Sequence, residues 1–253
     1  MRLYVEEHGQ GPPLLLLMGL GYAIWSWQRQ LPDWSRRFRC IAVENRGTGR
    51  SPKPPGPYSI EQMADEAAEM LDGRRAHVAG FSMGGYLAQT LAVRHPDLVE
   101  RLVLVCTATG GPEVVPTPRE TTEAWLANAG RPPREFARAT MPLSFRPGWS
   151  DRHPDEFEQL LADRLEYPTP PECWRAQYDA CVDWGRRVTP VEQIGAATLV
   201  VHGDADRIVP YANGVEVARR ISGARFERFE GAGHLLFIEE PERFNLLVEE
   251  FLG

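Results

Sequence analysis

Ala76-His77-Val78-Ala79-Gly80-Phe81-Ser82-Met83-Gly84-Gly85 is the stretch on which the reading of this 253-residue chain turns. An apolar run, Ala76 to Ala79, leads into Gly80-Phe81-Ser82-Met83-Gly84, and a helix-like run from Met83 to His95 follows. A Gly-x-Ser-x-Gly between strand and helix holds the serine on a sharp, strained turn. Small residues are needed two positions before and two after it, because the chain there nearly folds back on itself. The turn lifts the hydroxyl clear of the sheet and aims the first amides of the helix at the same point. The same residues also suit an ordinary serine N-cap, so the rest of the chain has to supply the partners that a reactive serine needs.

Outward from this stretch, strands and helices alternate. Strands are expected at Arg2 to Glu7, Leu14 to Met18, Phe38 to Val43, His77 to Gly80 and Leu102 to Cys106. Helices are expected at Ile24 to Leu31, Ser59 to Leu71 and Met83 to Arg94, with Ser59 and Gln62 spaced as a capping box. Leu14 to Met18 is apolar at every position, as in a parallel strand buried on both faces. From about 119 to 190 the texture changes to short helices broken at prolines, holding Trp125, Trp149, Trp174 and Trp184. Alternation returns with strand Ala197 to Val201, helix Tyr211 to Ile221, strand Ala224 to Phe229 and helix Pro241 to Phe251. The expectation is one mostly parallel, doubly wound α/β sheet of about seven strands. A helical cap is inserted after the strand ending near Cys106, so that residues 1–110 and 190–253 form the core and 111–189 the cap.

A serine hydroxyl needs a base within hydrogen-bond reach, and the base needs an orienting acid. Two aspartates, Asp204 and Asp206, lie just beyond the strand ending at Val201, at the carboxyl edge where open α/β sheets place their sites. His234 lies in Glu230-Gly231-Ala232-Gly233-His234, another Gly-rich loop after a strand. The order serine, aspartate, histidine is that of the α/β-hydrolase arrangement.

On these residues the chain resembles the α/β-hydrolase superfamily along essentially its whole length. The likeness is carried by Met18-Gly19-Leu20-Gly21, Arg46-Gly47-Thr48-Gly49-Arg50-Ser51, Gly80 to Gly85, Gly203 to Pro210 and Gly231 to His234. Within the superfamily it is similar to small capped serine esterases, enol-lactonases and cofactor-free haloperoxidase-like enzymes. The resemblance implies a triad of Ser82, Asp206 and His234, with the second aspartate of the pair as the acid. It implies oxyanion donors at the Leu20 and Met83 amides. Met18-Gly19 stands where many relatives have His-Gly, and Glu44-Asn45-Arg46-Gly47 where Asp-x-Arg-Gly is usual; Arg46 is read as structural. Relatives commonly begin with one more strand; without it the expectation is a sheet of about seven strands, or a mis-assigned start codon.

The implied activity is hydrolysis of an ester, thioester or lactone of a small, largely apolar substrate through an acyl-enzyme on Ser82. Relatives with equal motifs also cleave C–C bonds or act as perhydrolases, and some members of the fold are ligand receptors without turnover. No cofactor or metal is implied, and the expected partner is a small molecule acting on a monomer or homodimer. Trp125, Trp174 and Tyr178 are candidate substrate contacts. Trp174, Tyr178 and Cys181 share a helical face that either lines a pocket or packs the cap onto the core.

A dinucleotide-binding unit is the best mimic: strand Leu14 to Met18, Gly19-x-Gly21, and acidic Glu44 at the end of the next strand. Ile24 at the third glycine position argues against it. A formal net charge of −7 without a basic cluster argues against a nucleic-acid surface. The apolar run Leu14 to Leu20 is too short to span a bilayer and has no basic leader, so a cytoplasmic, non-membrane protein is expected. Cys40, Cys106, Cys173 and Cys181 lack metal-ligand spacing, and a Cys173–Cys181 bridge is disfavoured in a reducing compartment.

Overall fold

The structure, a computed structural model, describes all of residues 1–253. β1 (Tyr4–His8) and β2 (Pro13–Leu17) open the chain, followed by a 3-10 turn at Ile24–Trp27, a short helix α1 (Leu31–Trp34) and β3 (Arg39–Glu44). α2 (Ile60–Glu69), β4 (Ala76–Phe81), α3 (Met83–Arg94) and β5 (Val99–Val105) then alternate. Five helices without an intervening strand come next: α4 (Arg119–Asn128), α5 (Pro133–Thr140), α6 (Trp149–Arg152), α7 (Pro154–Glu166) and α8 (Pro171–Gly185). β6 (Ala197–Gly203), α9 (Tyr211–Arg220), β7 (Arg225–Phe229), α10 (Leu236–Glu239) and α11 (Pro241–Leu252) complete it. No helix is long and apolar enough to cross a membrane.

The strands form a single seven-stranded sheet in the order β1-β3-β2-β4-β5-β6-β7. β1 pairs antiparallel with β3, and every other pairing is parallel. Strand side chains alternate between faces, so the all-leucine run of β2 is divided between two cores. Leu14 and Leu16 join Phe81, Val103, Phe237 and Phe244 on one face. Leu15 and Leu17 join Met63, Leu87, Leu91 and Val200 on the other. All four leucines are 0% exposed, as a strand covered on both sides requires. Parallel pairing also sends the chain out of β2, β4, β6 and β7 at one edge, and the three loops that carry Ser82, Asp206 and His234 therefore meet there.

Two local expectations are corrected. The Ser59 hydroxyl accepts from the Gln62 amide (3.1 Å), but the Gln62 side chain does not complete the capping box, because it accepts from Arg46 Nη1 (2.9 Å) instead. Ile24 to Leu31 is not one helix. The Ser26 hydroxyl donates to the Ala23 carbonyl (2.6 Å) in a tight turn, and Pro32 starts a separate helix where its missing N–H costs nothing. Pro133, Pro154 and Pro171 likewise sit in the first turns of α5, α7 and α8. The four cysteines are free thiols.

Candidate active site

β4 runs straight into Ser82, whose backbone sits at φ 55°, ψ −117°, before α3 begins at Met83. A side chain at this conformation costs about 1–3 kcal/mol and persists only where its surroundings dictate it. They do so by close approach. A Cβ on Gly80 would lie 2.3 Å from the Gly84 carbonyl oxygen, and one on Gly84 would lie 2.2 Å from that of Leu17. The Ser82 amide donates to Val105 O (2.9 Å), and Thr107 Oγ1 donates to Ser82 O (2.9 Å), fixing the turn to the end of β5.

Past β6, the two aspartates separate in role. Asp204 accepts from the Gly231 amide (2.6 Å) and pairs with Arg228, bracing the loop after β7. Asp206 is buried. Its Oδ1 accepts from the Ile208 and Val209 amides (2.7 and 2.9 Å), and its Oδ2 lies 2.7 Å from His234 Nδ1. An ionised carboxylate only accepts, so Nδ1 carries the proton and Nε2 is left with its lone pair. Burial opposes ionisation of Asp206, but the facing His234 with its hydrogen bond and the neighbouring His202 imidazole outweigh it and hold the carboxyl well below the usual range. His202 Nε2 donates to Val209 O (2.9 Å) and lies 3.4 Å from Asp206 Oδ2. Nothing in the sequence singled it out, since it reads as an interior residue of a strand end.

His234 is 3% exposed and its ring packs on Phe81, centroids 4.6 Å apart. Ser82 and His234 line the same cavity of about 340 Å³, with Leu20, Met83, Tyr22 and Phe81. No hydrogen bond yet closes between the Ser82 hydroxyl and the imidazole; such contacts commonly tighten only with substrate in place. The turn after β2 lies directly against the serine, because a Cβ on Gly19 would stand 3.1 Å from Ser82 Cβ. The Leu20 amide donates to no backbone acceptor, and Met83, as the first residue of α3, has no intrahelical partner for its amide. Two free donors beside a serine are what an oxyanion requires.

This turn is held from both sides. Asn45 Nδ2 donates to Met18 O (3.0 Å), and the Gly21 amide donates to Gln177 Oε1 (2.9 Å). Gln177, fully buried on α8, also donates from Nε2 to Arg46 O and to Thr48 Oγ1, both at 2.8 Å. It ties the five-helix segment to two loops of the sheet. Sequence reasoning missed it, because one glutamine among polar helix positions carries no signal of burial. Arg46 pairs with Glu66 and stacks over Tyr58 (5.1 Å) away from the cavity. Glu44 is bound by Arg50 and has no carboxylate oxygen to spare for a ribose.

Trp125, Trp174, Tyr178 and Cys181 all line the cavity. Trp25 lies by Tyr22 (5.5 Å), and Trp27 is buried in the core against Trp34 and Phe237. Cys106, Asp206 and His234 bring ligand-type atoms within 4.8 Å of one another. Asp206 and His234 already bind each other, and burial together with the Asp206 charge pushes the Cys106 thiol far above its usual range, so it is a neutral neighbour.

Comparison with known proteins agrees with the fold. The sequence pattern of the alpha/beta hydrolase fold matches residues 12–241. The chain is 29% identical to the 2-hydroxymuconate semialdehyde hydrolase of Pseudomonas sp. strain CF600, over 100% of this chain and 91% of that one. Among solved structures it resembles the enol-lactonase from Burkholderia xenovorans LB400, with TM-score 0.83, 28% identity, and 99% and 96% of the two chains covered. It also resembles a thermophilic esterase from Thermogutta terrifontis, with TM-score 0.82, 28% identity, and 99% and 92% covered.

Proposed function

The chain belongs to the α/β-hydrolase fold family and is a hydrolase, and on that premise we propose that it cleaves an ester, thioester or lactone of a small, largely apolar substrate through an acyl-enzyme on Ser82. The observation that carries this reading is the buried His234 Nδ1–Asp206 Oδ2 contact of 2.7 Å, which leaves Nε2 as a base in the cavity that Ser82 lines.

In this reading His234 Nε2 takes the Ser82 proton as the hydroxyl oxygen attacks the carbonyl carbon. Negative charge gathers on the former carbonyl oxygen and is met by the Leu20 and Met83 amides. Asp206 stabilises the imidazolium that forms and fixes its tautomer. The imidazolium then gives its proton to the leaving oxygen or sulfur as the carbonyl–leaving-group bond breaks. Water enters, loses a proton to His234 and attacks the acyl-enzyme, and the returning proton restores the Ser82 hydroxyl. Each step is carried by protein groups and water. Residues 111–189 act as a cap over the core of 1–110 and 190–253, with Trp125, Trp174 and Tyr178 contacting the substrate.

A panel of p-nitrophenyl esters and lactones, run with a C–C cleavage substrate of the kind named for the Pseudomonas relative, tests the reading. Asp206→Asn is expected to lower kcat by about four orders of magnitude, as in other triads that lose the correct tautomer, while the melting temperature shows that the chain still folds. Binding of these compounds without turnover by the wild type, or near-normal rates in Asp206→Asn, would overturn it.

A further inference from the structure

A second cavity, of about 250 Å³, adjoins the one at Ser82 on the far side of an aromatic wall. The two share Thr122, Trp125, Phe136, Arg164, Trp174 and Tyr178 as lining. Four of these are rings in mutual contact. Trp174 stacks on Tyr178 (5.4 Å, 10°), and Trp125 meets both edge-on at 6.1 and 6.3 Å. Phe136 meets Trp174 at 5.3 Å. Beyond the wall the outer chamber is open to solvent on one side, its apolar lining made of exposed Leu126, Ala129, Pro168 and Pro171 and half-buried Pro133 and Leu165. Its charged lining residues are all arginines, Arg131, Arg164 and Arg175, and it holds no acid, thiol or imidazole. It is therefore a place that binds and does not react, and its charge turns away cationic groups.

Three of the wall's rings are fixed and one is loose. Trp174 and Tyr178 stand on α8, which Gln177 ties to the sheet loops. Trp125 and Phe136 stand on α4 and α5. α4 buries Thr121, and α5 buries Ala137 and Thr140. Trp125 is anchored on Ala108, Ile208 and Val209, and α4 is tied to Arg207 O through the Thr121 hydroxyl (2.7 Å), so the yielding ring is Phe136, on a helix that buries only Ala137 and Thr140, and its displacement admits a slender chain.

We propose that the outer chamber is the acyl compartment of the same site, taking the distal end of a straight, uncharged acyl chain whose carbonyl lies at Ser82. This rests on the serine hydrolase reading above. The acyl part stays bonded to Ser82 between the two steps. Housing its end beyond the aromatic wall leaves the inner cavity open for the leaving group to depart and water to enter. Because the chamber is open on one side, each methylene placed in it gains about half of full burial, worth about twofold in kcat/KM until the chamber is full.

The test is a series of p-nitrophenyl esters from acetyl to dodecanoyl, on the wild type and on Ala129→Trp, which plugs the outer chamber alone. Leu126→Trp serves as a second plug from an exposed position should the first not fold. The expected result is a wild-type kcat/KM that climbs past butanoyl by about twofold per methylene. In the plugged variants that climb is lost, with about tenfold or more lost on decanoyl and the acetyl ester changed by less than about twofold. A flat wild-type series, or equal losses on acetyl and decanoyl esters, would overturn the proposal. Calorimetric titration with sodium decanoate separates this inference from the one beneath it. If no ester turns over, the hydrolase reading fails. Decanoate binding that Ala129→Trp abolishes would still support the chamber, and no decanoate binding by the wild type would overturn it.

Discussion

Replacing Gln177 by Met keeps the volume of the side chain and removes its three hydrogen bonds at one stroke. The Gly21 amide, the Arg46 carbonyl and the Thr48 hydroxyl would then face an apolar group in a place where Gln177 is 0% exposed. A buried polar group left unpaired costs about 1–3 kcal/mol. Thr48 Oγ1 loses one donor but its own O–H can still donate, so about 3 kcal/mol for the set is a fair central figure. For a chain of this size each kcal/mol moves the melting temperature by about 2–4 °C, giving a fall of about 6–12 °C. The functional effect follows from position. Gly21 adjoins Leu20, whose free amide is a proposed oxyanion donor, and a loosened turn misplaces that donor. Loss of one such donor altogether costs about 10²–10³ in kcat, so partial misplacement should cost about tenfold, with KM changed less. Thermal denaturation and steady-state kinetics on one activated ester suffice as assays. A variant that melts within about 2 °C of wild type and keeps its kcat would refute the view that this glutamine holds the turn.

Gly84→Ala would set a Cβ 2.2 Å from Leu17 O and 2.9 Å from Met18 O, both backbone atoms that cannot swing aside. A loss of about 3 kcal/mol or more is expected by denaturant titration, with activity falling as β2 is displaced; normal stability would contradict the packing described. His77 is buried with Nδ1 unpartnered, and burial first, then the Arg101 charge, hold its pKa below the usual 6.5. The unfolded chain therefore takes up a proton that the folded chain resists, and native stability declines as pH falls below 6.5. His77→Leu should remove that decline, so its stability relative to wild type should be more favourable at pH 5 than at pH 8, about neutral conditions being the reference. An identical difference at both pH values, measured by urea unfolding, would refute this.

What the sequence made legible was what short-range chemistry imposes. The glycines around Ser82 are demanded by backbone approach within a few residues, so the turn was readable, and the strand runs were readable from unbroken apolar burial. Asp206 and His234, which the structure brings together, could be read as candidates because each follows a strand in a loop at the carboxyl edge. Asp204 could not be separated from Asp206 on spacing alone; the choice needed the family likeness, and the structure gives each carboxylate a different set of donors. Residues whose importance depends on contacts far apart in the chain stayed hidden. Gln177 reaches Gly21 across 156 positions, and Gln62 was drawn from its cap by Arg46, 16 residues away. His202 acts on Asp206 only because the loop after β6 curls back on the strand end. The aromatic wall was half visible, as Trp174 and Tyr178 on one helical face, while Trp125 and Phe136 complete it from α4 and α5.

The central claim is that Ser82 is the nucleophile and His234 its base. Intact-mass and peptide mass spectrometry after treatment with a fluorophosphonate tests it most directly. The account predicts a single adduct on the peptide carrying Ser82, absent in Ser82→Ala and formed far more slowly in His234→Ala. No adduct on the folded wild type, an adduct on another residue, or equal labelling of Ser82→Ala would contradict it.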